Sequence, residues 1–85
     1  MDYFPVFLDL KKRRCLLVGG GEVATRKGRM LAKSGAVLRV VAPEISNELR
    51  ELVAQHNGEL ILREYQQGDM EGCVLAVAAT DIETL

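Results

Sequence analysis

Short, wholly apolar runs alternate along this chain with longer stretches in which apolar residues recur at helical spacing. Cys15–Val18 (CLLV) and Cys73–Ala79 (CVLAVAA) carry no charged side chain, the pattern of strands buried on both faces of a parallel sheet. Val37–Ala42 (VLRVVA) is a further strand, ended by Pro43, and Glu59–Glu64 (ELILRE) is one with weaker burial. A helix is predicted from Glu22 to Ser34, with Gly35 as its stop. Ser46 is placed to cap a second helix whose face is Leu49, Leu52, Val53 and His56, closed by Asn57-Gly58. QQGDMEG reads as a turn with room for one helical turn. Thr80 and Glu83 have capping-box spacing, so another helix is expected to open there. At the start, FPVFLDL with Pro5 reads as a short edge strand or extended lead-in, and DLKKRR as a solvated turn.

Strands alternating with helices predict an α/β fold with βαβ units and a parallel sheet. Right-handed crossovers favour strand order 3-2-1-4, with flanking helices and a ligand crevice where the order reverses, between the strands ending at Val18 and Ala79. With 85 residues the chain is one domain, 1–85. The last predicted helix cannot complete two turns before Leu85, so the expectation is the N-terminal part of a longer protein, truncated after the fourth strand.

Composition narrows the function. At 48% hydrophobic residues a packed core is expected, and a formal charge of -1 offers no basic surface for nucleic acid or membrane. No apolar run approaches the ~18–20 residues that span a bilayer. An acidic residue at position 2 opposes a signal peptide, so the expected location is cytoplasmic. Cys15 and Cys73, both in apolar runs without a CxxC partner, are expected to be buried reduced thiols.

Three glycines follow the first strand. Gly19-Gly20-Gly21-Glu22-Val23-Ala24 fits G-x-G-x-x-A between a strand and a helix, the setting in which that pattern binds a dinucleotide. Gly19 makes the tight turn. Gly21, without a Cβ, lets a pyrophosphate approach the backbone, and Ala24 allows close helix–strand contact. The first helical N–H groups carry partial positive charge toward the phosphates. An acidic ribose partner is expected near the end of the second strand, and Glu44, slightly late, is the nearest acid, either that partner or a solvated first-turn acid. No arginine follows that strand closely, so NAD is favoured over NADP.

In the first helix Val23, Ala24, Met30, Leu31 and Ser34 are expected to share the apolar face, with Arg26, Arg29 and Lys33 in solvent. Lys27 falls within that face and leans toward the ligand end, either to meet a phosphate or carboxylate or to snorkel to water. His56, the sole histidine, is read as stabilising the second helix's C-terminus rather than as a base. No cluster of His, Cys and carboxylates has metal-ligand spacing, and no catalytic residue is evident.

FP-x-F near the start, VGGGEVA-x-RK, GA, VVAPE and AATD together resemble the beginning of the siroheme synthase and precorrin-2 dehydrogenase family over nearly the whole chain. The resemblance implies a Rossmann-like domain that takes part in NAD-dependent oxidation of precorrin-2 to sirohydrochlorin and ferrochelation to siroheme. Tetrapyrrole substrate, ferrous iron and a homodimer follow from it, and in the multifunctional form a methyltransferase domain. It carries cofactor contacts over to Gly19, Gly20, Gly21, Glu22 and Val23, then to Pro43 and Glu44, and to Thr80 in AATD. The family's catalytic aspartate follows a later strand beyond Leu85, so Asp81 is read as a helix-start acid and the chain alone as inactive. A nucleotide-sensing regulatory module of the same fold is the alternative.

Overall fold

The computed structural model of the chain describes residues 10–79. The elements run β1 (Arg14–Val18), α1 (Glu22–Lys33), β2 (Val37–Val41), α2 (Asn47–Gln55), β3 (Glu59–Ile61), a 3-10 turn (Gln67–Met70) and β4 (Leu75–Ala78). They form one four-stranded parallel sheet in the order β3-β2-β1-β4. The predicted topology is therefore the observed one, and the order reverses between β1 and β4. The lead-in up to Asp9 and the Thr80–Glu83 cap lie outside the described residues.

The alternation of side chains along each strand sorts the sheet into two faces. Leu17, Leu38 and Val40 point to the helices and pack with Ala24, Ile45, Leu49 and Val53, joined by half-buried Leu60 and Val77. α1 ends where Ser34 caps it and Gly35 turns away at φ +85°. Ser46 caps α2 by accepting the Leu49 N–H at 3.1 Å. Asn57, in the left-handed region at φ 59°, follows the C-cap residue His56.

The opposite face carries Arg39, which lies between Leu38 and Val40. Parallel strands need a long crossover, usually helical. Here the connection from β3 to β4 passes over this second face with a single 3-10 turn. Arg39 holds it: Nη1 donates to the carbonyls of Asp69 (2.8 Å) and Glu71 (2.6 Å), while Nε donates to Glu59 on the neighbouring strand (2.9 Å). Arg63 grips the Asp69 carboxylate with both terminal nitrogens at 2.7 and 2.9 Å, and the Gln66 N–H adds a third bond. These bonds hold the Asp69 carboxyl down to about 2.

Two expectations are corrected. β3 stops at Ile61 rather than reaching Glu64, because Arg63 is drawn to the turn. β4 is not buried on both faces: Leu75 and Val77 are half-buried, but Ala76 and Ala78 on the second face are exposed. It is an outer strand of the described sheet, and its alanines have no helix over them among the described residues. No helix there is long and apolar enough to cross a membrane.

Candidate functional site

The three glycines leave the end of β1 and meet a different environment at each step. Gly19 has φ +133°, and a Cβ on it would lie 2.8 Å from the Ala79 carbonyl oxygen at the end of β4. It makes the turn across the reversal point. A Cβ on Gly20 would overlap the Glu44 carbonyl, whose loop is bound to the turn by the Ser46 N–H to Gly20 carbonyl bond (2.8 Å). Gly21, the N-cap residue of α1, has nothing within 4 Å of its Cβ position. Of the three, only Gly21 faces open space. Ala24 is buried and lies 3.5 Å from the Cβ position of Gly19, the close helix–strand contact expected of it.

Two adjoining clefts open at this point. One, of about 350 Å³, is lined by Gly21, Glu22, Thr25, Arg29, Ser46 and Glu48. The other, of about 370 Å³, is lined by Gly20, Gly21, Glu44, Ile45 and Ser46. Of the residues expected at the site, Gly20, Gly21, Glu22 and Glu44 thus come together. Val23 is half-buried in the first turn of α1 and Pro43 is exposed at the end of β2, and neither lines these clefts. Thr80 lies outside the described residues.

Sequence reading missed Thr25 and Arg29. Thr25 is buried, donates its hydroxyl to the Gly21 carbonyl at 2.7 Å, and lies 2.6 Å from the Ser46 hydroxyl. Because the Thr25 proton is committed to Gly21, Ser46 must donate to Thr25. The Ser46 oxygen in turn accepts the Leu49 N–H. One chain of hydrogen bonds with a single polarity therefore links the cap of α2 to the glycine turn. Arg29, expected in solvent, is half-exposed but joins Glu48 on α2 through two parallel bonds, one of them 3.0 Å, which hold the Glu48 carboxyl below its usual range. The signal for both was weak in sequence, since the partners lie 19 to 21 positions away.

The buried face of α1 is also corrected. It consists of Ala24, Thr25, Gly28 and Ala32, whereas Met30 is 66% exposed. Small residues face inward because α2 comes very close: a Cβ on Gly28 would be 2.7 Å from Leu49 Cδ1. Lys27 consequently sits at the edge of that face and donates to the Ala78 carbonyl at 3.3 Å. His56 lies at the far end of α2, beside Leu52 and Lys33, away from the glycine turn. Cys15 is buried, which pushes its thiol up, and Cys73 is half-buried rather than buried; both are free. Among the described residues no group of His, Cys and carboxylates is arranged to hold a metal.

Comparison with known proteins adds three findings. The family model NAD_binding_7, described as "Putative NAD(P)-binding", matches residues 6–85. The chain is 58% identical over its whole length to siroheme synthase of Pseudomonas fluorescens SBW25 and 62% identical over 81 residues to that of Azotobacter vinelandii, spanning 18% of each relative. Among solved structures it is similar to SirC, precorrin-2 dehydrogenase, with TM-score 0.82 and 34% identity, covering 96% of this chain and 41% of that one.

Proposed function

Since this chain belongs to the NAD(P)-binding family NAD_binding_7, we propose that it is the NAD-binding part of a siroheme synthase, serving the oxidation of precorrin-2 to sirohydrochlorin. The observation that carries the reading is the contrast among the glycines. Gly19 and Gly20 are packed against protein, whereas Gly21 opens on free space at the N-terminus of a 12-residue helix. That is a cradle a Cβ would fill, so the residues present fit a pyrophosphate. Gly21, Glu22 and Val23 would receive the phosphates on their N–H groups. Pro43 and Glu44, carried at the end of β2, would meet the adenosine ribose, with the Glu44 carboxylate accepting from a hydroxyl. Thr80, outside the described residues, would flank the cofactor by the AATD motif.

Bound NAD supplies the hydride acceptor for such an oxidation. The chain's own residues bind and orient it; none of those described is placed as a base. Substrate binding, iron insertion and any homodimer interface are assigned to the rest of the protein, because the chain spans about a fifth of its curated relatives. A nucleotide-sensing role is not favoured, since these relatives are named as a biosynthetic enzyme.

Calorimetric titration with NAD and ADP-ribose tests the reading. Saturable binding of both is expected, with no NADH formed when precorrin-2 is added anaerobically to the chain alone. Absence of binding by either ligand would overturn it.

A further inference from the structure

No arginine closely follows the second strand in sequence, yet the fold brings one into the cleft that adjoins that of Glu44. Arg29, from the second turn of α1, lines the cleft that begins at Gly21 and ends against α2. Among the described residues it is the only guanidinium lining either cleft. Arg50, the other arginine near this loop, is turned away to the Ile45 carbonyl at 3.1 Å and lines neither. A cleft with a free arginine fork beside the ribose site would be suited to a 2′-phosphate.

The fork is not free. Nε and Nη2 of Arg29 both donate to the Glu48 carboxylate, in the bidentate geometry that a phosphate would otherwise take. Among the described residues the two clefts carry three carboxylates, Glu22, Glu44 and Glu48, against this one cation. A dianionic 2′-phosphate would meet an excess of negative charge and an occupied donor, whereas a 2′-hydroxyl meets acceptors only.

We propose that the Arg29–Glu48 pair is a specificity determinant of the dinucleotide site, with Glu48 withholding Arg29 from the 2′-phosphate of NADP. The proposal rests on the dinucleotide reading above. Glu44 selects for the ribose hydroxyl, and Glu48 acts against the competing ligand by occupying the group that would welcome it. The two contributions are separable, because Glu48 belongs to the α2 side of the site and does not line the Glu44 cleft.

The test is calorimetric titration of the full chain with NAD and with NADP, for the wild type, Glu48→Gln and the double variant Arg29→Met/Glu48→Gln. Wild type is expected to bind NAD in preference to NADP. Glu48→Gln should tighten NADP relative to NAD about tenfold, the size of one charge-assisted contact. The gain should weaken as salt is raised and vanish in the double variant. An unchanged NADP-to-NAD ratio in Glu48→Gln, with NAD binding intact, overturns the role of the pair and spares the dinucleotide reading. A gain that survives removal of Arg29 overturns it too. Failure of the wild type to bind either dinucleotide is a different result: it removes the dinucleotide reading and the specificity argument together.

Discussion

Adjacent glycines in the turn answer to different constraints, and the difference can be measured. Gly20 has no room for a Cβ because the Glu44 carbonyl occupies that space, so Gly20→Ala is expected to cost more than about 3 kcal/mol or to prevent folding. Gly21 has open space and an extended backbone at φ -90°, so Gly21→Ala should change stability by less than about 1 kcal/mol. It should instead weaken NAD about tenfold or more by standing between backbone and pyrophosphate. Chemical denaturation and calorimetry on the two variants separate the cases; equal stability losses would mean the turn is not divided in this way. The turn at Gly19, the open position at Gly21 and the close contact at Ala24 were legible from the G-x-G-x-x-A spacing alone. That of Gly20 was not, because its constraint comes from a carbonyl 24 positions away. Thr25 was hidden for the same reason: a hydroxyl in the first turn of a helix looks like a solvated residue until the cap of the next helix is laid against it.

At the scale of elements, the helices and strands were largely legible, since apolar runs, Ser46, Gly35 and Asn57-Gly58 mark their limits. The inward face of α1 was not. Periodicity rewards large apolar residues such as Met30, whereas close helix–helix approach selects Gly28 and Ala32. The crossover from β3 to β4 was equally hidden, because its order comes from two arginines rather than from an apolar stripe. Arg39→Met should lower stability by about 2 kcal/mol or more, since it takes the donor from two carbonyls and leaves Glu59 to Arg14 alone, and amide exchange should rise first at residues 66–72. If protection there is unchanged, Arg39 is not what holds the crossover.

Asp69 makes the same turn sensitive to acid. Its folded carboxyl sits at about 2, below the ordinary 3.8. Its contribution is therefore fully present above the ordinary value and is lost as pH falls from about 4 toward 2. Asp69→Asn should lower Tm at pH 7 and narrow the difference from wild type toward pH 2. A parallel offset at both pH values would show that the carboxylate's charge is not responsible.

For the whole molecule, the parallel order and the position of its reversal were readable from alternation and handedness, but the exposure of β4 was not. Alanines read as core in sequence; on a face with no helix over it among the described residues they are merely small. On the helix face of the same strand Lys27 is the polar guard, bonded to the Ala78 carbonyl beside an apolar groove lined by Met30, Leu31 and Val77. Lys27→Met should keep stability within about 1 kcal/mol and increase self-association in concentration-dependent light scattering. Unchanged scattering would show that Lys27 does not guard against association. The glycine turn and the loop after β2 are cut to each other, so they can be inherited only as a matched set. Recombining gene segments between this protein and a distant relative, with a junction inside α1, should yield viable chimeras where both parents carry glycine at position 20. Where the donor has any larger residue there, the same junction should yield chains that never close the sheet, however similar the two parents are elsewhere.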